Sequence, residues 1–207
     1  MTPEQETTIN RRSVLTALSG LALGLSVGSP IRAAPARYRL DPDASSVGFT
    51  YTIAGTDQSG TMAIDKTDIT LDPAHLSLAR IDILLNVADV RTPTFIATRA
   101  LRSASVLDVA RFPTMRFTST GVTLAQDGRL SGGAYISGQL TLRDVTRPIR
   151  LRADFFRQRG AGPNDLHRLS VHLTGQLNRS HYGATGYGDL VGDVVRLDIR
   201  AAIIALN

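Results

Sequence analysis

The chain has 207 residues, no cysteine, 43 % hydrophobic residues and a formal net charge of +5. That length allows one sizeable domain or two small ones, and the composition is that of an ordinary globular protein. Without cysteine, disulfides, thiolate nucleophiles and Cys-ligated zinc or iron–sulfur sites are excluded, so stability must come from a large core and hydrogen-bond ladders.

In chain order, Asn10-Arg11-Arg12-Ser13-Val14-Leu15 comes first, overlapping an uncharged run from Val14 to Val27. This run is too short and too rich in Gly and Ser for a membrane span. Ala34-Pro35-Ala36 then offers small residues where a signal peptidase reads, so cleavage is expected after Ala36. Residues 1–36 are accordingly expected to be a removed export leader, and 37–207 the mature domain. The arginine pair resembles a twin-arginine export signal, with Asn10 where Ser or Thr is usual and Val14 where Phe is usual. The competing reading is an ordinary secretory leader. The mildly apolar core and Arg32 near the cleavage site favour the twin-arginine route, in which cargo reaches the periplasm already folded.

Taking the leader's three arginines and two glutamates from the chain's 23 basic and 18 acidic residues leaves 20 and 16. The basic side is nearly all arginine, Lys66 being the only lysine. These arginines are scattered, as with Arg150, Arg152, Arg196 and Arg200 on polar strand faces. A nucleic-acid-binding protein would cluster them on one element with aromatic platforms. A solvated basic exterior is the better reading.

Past Arg37 the pattern is strand, turn, strand. Val47, Phe49, Tyr51 and Ile53 alternate with Gly48, Thr50 and Thr52, the signature of a half-buried strand. Gly60 to Leu71 follows, with Met62 and Ile64 on one face. Ile81, Ile83, Leu85 and Val87 alternate next. Thr94 to Leu107 departs from period two: Phe95, Ala97, Leu101 and Ala104 interleave with Arg99 and Arg102, and a short helix starting at Pro93 or Thr94 fits. It could cover the mouth of a barrel.

After Pro113, Met115, Phe117 and Ser119 alternate. Gly133–Leu142 and Ile149–Phe156 form a pair around a tight polar turn, with Pro148 opening the second strand. Leu169, Val171, Leu173 and Leu177 mark another strand, and Val195–Leu206 the last, with a helical turn around Ser180–Gly183 between them. Asp127-Gly128, Gly132-Gly133, Gly160-Ala161-Gly162-Pro163-Asn164 and Gly192-Asp193 are the turn signals. About eight strands so spaced predict an antiparallel barrel or sandwich.

The polar residues give little sign of catalysis. His75, His167, His172 and His181 lack metal-ligand spacing, and no Gly-x-Ser-x-Gly elbow is present. The mature portion has no glutamate. The pairs Asp65 with Asp68 and Asp189 with Asp193 are expected in or beside turns, with no role as general acid and base. Gly183-Ala184-Thr185-Gly186-Tyr187-Gly188 lacks the strand-before, helix-after context of a phosphate loop and reads as a loop at the barrel rim. No enzyme activity, metal or cofactor is expected.

The apolar face is what remains. An eight-stranded barrel has an interior wide enough to be filled by side chains or to hold one small ligand. Candidates for its lining are Phe49, Tyr51, Ile53, Met62, Ile64, Phe95, Leu101, Met115, Phe117, Leu140, Leu142 and Leu173, each equally open to plain core packing; Ile199 shares their face.

Four blocks carry a family resemblance. Ile136-Ser137-Gly138-Gln139-Leu140-Thr141-Leu142-Arg143-Asp144-Val145-Thr146-Arg147-Pro148-Ile149 resembles the Gly-x-Leu-Thr-Leu-x-Gly-Val-Thr-Lys-Pro signature of the YceI-like family. Tyr38-Arg39-Leu40-Asp41-Pro42 with Ser45, Val47 and Phe49 is similar to its opening strand. Arg99-x-Leu101-Arg102-Ser103, with Val109-x-x-Phe112-Pro113-x-Met115-x-Phe117-x-Ser119, is similar to its helix and next strand. Arg179-Ser180-His181-Tyr182-Gly183 resembles its Arg-Ser-x-Phe-Gly, followed by Val191-Gly192-Asp193-x-Val195.

The resemblance covers Tyr38 to the C-terminus. It implies an all-β, extended eight-stranded antiparallel lipocalin-like barrel with a short helix near one opening. It also implies binding or carriage of an isoprenoid lipid, a polyprenyl chain or quinone, in the periplasm. Arg99, Arg179 and Tyr182 would be polar donors at the rim. The alternative is a non-catalytic stress or interaction protein with a filled barrel, partnering a membrane cytochrome of the b561 type; a homodimer is a further expectation. Ala44 and Ile53 stand where the family often has His, Ala100 where it has an acidic residue, and Arg143-Asp144 where it has His-Gly. The polar contacts to a ligand's head are thus changed while the apolar face is kept.

Overall fold

Inward apolar and outward polar residues alternate along nine strands in the computed structural model, which describes residues 35–72, 75–125, 130–157, 160 and 166–206. In chain order they are β1 (Ala36–Leu40), β2 (Ser46–Ile53), β3 (Thr56–Leu71), β4 (Arg80–Arg91), β5 (Thr114–Leu124), β6 (Ala134–Leu142), β7 (Val145–Arg157), β8 (Arg168–Asn178) and β9 (Val194–Ala205). One helix, α1 (Phe95–Arg102), lies between β4 and β5. All but two of the leader residues, the Asp127-Gly128 turn and the stretch 161–164 lie outside the described residues.

Antiparallel pairing runs β3-β2-β9-β8-β7-β6-β5-β4 and returns from β4 to β3, closing an eight-stranded barrel. Closure leaves no unpaired sheet edge. β1 pairs with both β3 and β9 beyond the start of β2, so β1 and β2 share one place in the ring. At the break between them, Ser45 Oγ donates to Asp41 O at 2.6 Å and accepts from Ala202 N at 3.0 Å.

The registers set which connections share an end. The β2–β3 turn, the β4–β5 link with α1, the Arg143-Asp144 turn and the 179–193 link all lie at one end, called here the helix end. The links β3–β4, β5–β6 and β7–β8 lie at the other.

Two bulges keep the apolar residues inside. Along β3 the lumen-facing residues run Met62, Ile64, then Thr67, Ile69 and Leu71; the three-residue step coincides with a register shift between Ile64 and Lys66. Along β5, Met115 and Phe117 are followed by Val122, with a shift between Ser119 and Gly121. An extra residue on one strand restores the inward phase that strict alternation would lose.

Several sequence-based boundaries move. β3 begins at Thr56, ahead of the expected Gly60. β7 begins at Val145, so Pro148 lies inside it, where β7 pairs with β6 and the ladder to β8 has yet to start at Arg152. Asp65 and Asp68 are in β3, both exposed and in no turn, because β3 continues through the bulge at Asp65. The helical turn expected at Ser180–Gly183 is a 3-10 turn over Arg179–Tyr182, closed by Gly183 at φ 73°.

Candidate functional site

The closed ring encloses a cavity of about 650 Å³, within the range of roughly 300–1,000 Å³ usual for small-molecule sites. Its wall is almost wholly apolar. β2 contributes Phe49, Tyr51 and Ile53, β3 Met62 and Ile64, β5 Met115 and Phe117, β6 Leu140 and Leu142, β8 Leu173, and α1 Leu101. The lining also takes in residues that the sequence candidates omit, among them Gln58, Leu85, Leu197, Tyr187, Leu190 and Val191. Leu85 and Leu197 follow from strand alternation. Tyr187, Leu190 and Val191 carry no periodic signal, because they reach the cavity from a loop.

α1 roofs the helix end. Thr94 caps it, its hydroxyl accepting from Ala97 N at 3.2 Å. Ala97, Ala100 and Leu101 turn toward the cavity, and Ile96 borders it at the mouth while remaining 81 % exposed. Phe95, Arg99 and Arg102, spaced i, i+4 and i+7, share the opposite face. Phe95 is therefore no wall residue: it lies outside the lining and is exposed. Arg99, expected as a rim donor, is exposed and outside the lining. Arg102 reaches back to Val90 O at 3.4 Å.

The other side of the mouth is the loop 183–193. It is held to the β2–β3 turn by Ala54 N donating to Leu190 O (2.9 Å), by Gly192 N donating to Thr52 O (3.0 Å), and by an Ile53–Val191 bridge. Gly186 N donates to Ser105 O at 2.7 Å, bringing the loop to the segment after α1.

Arg179 organises this loop from inside. Only 8 % exposed, it donates from Nε to Gly192 O (3.0 Å), from Nη1 to Ala184 O (2.6 Å) and Gly186 O (2.8 Å), and from Nη2 to Val191 O (2.9 Å). The expectation of a free rim donor is corrected here, since four of the five guanidinium N–H groups are committed to backbone carbonyls. Tyr182 is corrected likewise. It is 3 % exposed and packed in the core cluster with Leu142 and Val106, away from the lining, and burial raises its phenol pKa above the ordinary range. Asp193 caps the same turn, accepting from Ser180 N (2.9 Å) and Ser180 Oγ (2.8 Å).

Two histidines sit beside carboxylates near the surface. His172 Nε2 lies 3.1 Å from Asp198 Oδ1 and His75 Nδ1 lies 3.0 Å from Asp72 Oδ2. Among the described residues, no three His, Asp or Glu side chains gather where they could hold a metal ion. Among them too, no helix is long and apolar enough to cross a membrane.

Comparison with known proteins agrees with this architecture. A "UPF0312 protein" of Pseudomonas savastanoi pv. phaseolicola is 29 % identical over 174 residues, covering 83 % of this chain and 88 % of the relative. A "UPF0312 protein" of Vibrio vulnificus is 28 % identical over 155 residues, covering 73 % and 76 %. Among solved structures, Burkholderia cenocepacia BcnA superposes with a TM-score of 0.67 at 14 % identity, over 79 % of this chain and 99 % of that one. A polyisoprenoid binding domain from Saccharophagus degradans, implicated in plant cell wall breakdown, gives 0.59 at 15 % identity, over 83 % and 99 %. At these identities the superpositions speak for the fold. The YceI-like domain model matches residues 38–203, nearly the whole barrel, and the chain belongs to the YceI-like family.

Proposed function

We propose that this protein binds one isoprenoid lipid, a polyprenyl chain or a quinone, inside the barrel and carries or sequesters it in the periplasm without catalysis. The observation that carries the reading is the open lumen: about 650 Å³ of cavity walled by aliphatic and aromatic side chains. Such a wall rewards a long apolar tail with roughly 0.8 kcal/mol per buried CH₂ group. Methionines and aromatic rings, here Met62, Met115, Phe49 and Phe117, adapt to methyl branches. The Saccharophagus relative's description as polyisoprenoid binding supports the same ligand class. A filled barrel, the competing reading, would need side chains where this lumen is empty.

Residues 1–36 belong to the proposal as a twin-arginine leader, which would let the barrel close around its ligand before export. A membrane cytochrome of the b561 type and a second copy of the chain are the partners proposed with it. Lipid extraction and mass spectrometry of protein purified from its own periplasm is the test. An isoprenoid at near one per barrel, or uptake of added quinone, is expected. Repeated absence of any isoprenoid together with no quinone uptake overturns the reading.

A further inference from the structure

Tyr51 and Gln58 stand directly opposite each other on β2 and β3, and both line the cavity close to the helix end. Tyr51 is 5 % exposed, and its ring stacks on Phe49 with centroids 6.1 Å apart. Neither the Tyr51 hydroxyl nor the Gln58 amide has a hydrogen-bond partner among the described residues, and neither is fully enclosed. A ligand atom that pairs with them therefore gains a hydrogen bond without displacing a partner within the protein. Together the two offer an O–H donor, an N–H₂ donor and a carbonyl acceptor on one patch of a largely apolar wall. Thr67, the β3 hydroxyl residue on the wall, lies farther along the strand and has no polar residue opposite it, its partner being Ile83.

The same wall offers a phosphate little cationic binding. Among the described residues its charged groups are Arg179 and Arg200. Arg179 commits four of its five N–H groups to backbone carbonyls. Arg200 is 73 % exposed, with its Nε 3.9 Å from Asp198. Burying a diphosphate among uncharged side chains is heavily penalised, whereas a hydroxyl or carbonyl needs only one or two hydrogen bonds. Burial also pushes the Tyr51 phenol pKa up, keeping it a donor at neutral pH.

We propose that Tyr51 and Gln58 form the head-group subsite for a neutral oxygen function, a prenol hydroxyl or a quinone carbonyl, and that the barrel discriminates against phosphorylated prenyl chains. This rests on the isoprenoid reading above and narrows it to the uncharged members of that class. The test compares three twenty-carbon probes on the mature protein: geranylgeraniol, geranylgeranyl diphosphate and phytane, the hydrocarbon without a head. The alcohol is expected to bind at least tenfold more tightly than the diphosphate. In Tyr51→Phe/Gln58→Leu its affinity is expected to fall about tenfold, to the level of phytane, while phytane binding itself stays unchanged and certifies an intact lumen. Gln58→Lys, which places a cation on the patch, is expected to raise diphosphate affinity. A wild-type protein that prefers the diphosphate, or a double variant that holds the alcohol as tightly as wild type, overturns the head-group subsite and leaves the tail reading standing. Failure of all three probes to bind overturns the isoprenoid reading and the subsite with it.

Discussion

The ring of Phe49 lies over Gly60 of the neighbouring strand, in the space a side chain there would need, and Phe117 lies in the same way over Gly138. Both glycines are buried and both rings line the lumen. Laying the rings against the wall keeps bulky side chains from filling the cavity. The two sites differ in what else is near. A Cβ on Gly60 has the far edge of the Phe49 ring as its nearest neighbours, and that ring borders the open cavity, while one on Gly138 also meets Thr118 O at 2.7 Å. Gly60→Ala is expected to change stability by less than about 1 kcal/mol, since alanine's better strand entropy offsets the displaced ring. It should nonetheless shrink the lumen and weaken isoprenoid uptake. Gly138→Ala is expected to cost about 1–3 kcal/mol, because backbone cannot yield. Urea unfolding beside a lipid-binding titration separates the two outcomes.

Arg179 is buried without a carboxylate beside it, and its four carbonyl partners are spread over the loop from Ala184 to Gly192. Arg179→Met leaves those carbonyls unpaired and is expected to cost about 3 kcal/mol, read as a lower urea midpoint. Arg179→Lys should recover little of this, since an ammonium cannot reproduce the planar fork. Hydrogen exchange at Gly186 and Gly192, whose amides pair with Ser105 and Thr52, should quicken in both variants before the strands open.

The β6–β7 turn places both Arg143 (φ 52°) and Asp144 (φ 60°) in the left-handed region. A two-residue hairpin of this kind suits glycine at its second position. Asp144→Gly is expected to raise stability by about 0.5–1 kcal/mol, visible as a higher Tm, with lipid binding unchanged. Arg143 is a poorer site for change because its guanidinium also donates to Val106 O, tying the turn to the segment after α1.

Tyr38, Tyr51 and Tyr182 all have phenol pKa values raised by burial. A raised value in the folded state means the folded protein holds the phenolic proton more tightly than the unfolded chain does. The resulting stability is complete below the unfolded value of about 10 and is lost as pH rises from there through the folded values. Stability is therefore expected to fall on the alkaline side above about pH 10. Tyr51→Phe should make that fall shallower. Denaturant midpoints measured between neutral and strongly alkaline pH check it.

α1 offers an internal contrast. Removing its cap in Thr94→Ala is expected to cost about 1 kcal/mol. Phe95→Ser, at an outward position, should change stability by less than about 0.5 kcal/mol and leave the lumen untouched. Equal losses for the two variants, by thermal unfolding, would count against the outward placement of Phe95.

Much of the barrel was legible because strands with one buried face must alternate. Val47, Phe49, Tyr51 and Ile53, Met115 with Phe117, and Leu140 with Leu142 all announced their inward faces, and those residues line the cavity. Alternation could not reveal the bulge beside Asp65, since a bulge exists only relative to a partner strand; hence two aspartates assigned to turns lie on the outside of β3. In α1 the composition named the right helix, yet eight residues with apolar side chains on both sides do not declare their phase, and Phe95 went to the wrong face.

The amino-acid sequence by itself determined the all-β architecture, the family and the apolar character of the interior, because hydrophobic periodicity is a local property that burial enforces strand by strand. Only the tertiary structure decided how the polar residues are used. Arg179 meets carbonyls of the loop that follows its turn, whereas Tyr51 stands opposite Gln58 across a ladder and neither side chain has a hydrogen-bond partner among the described residues. Hydrogen-bond satisfaction depends on where other segments bring their donors and acceptors, and no period in the chain encodes that.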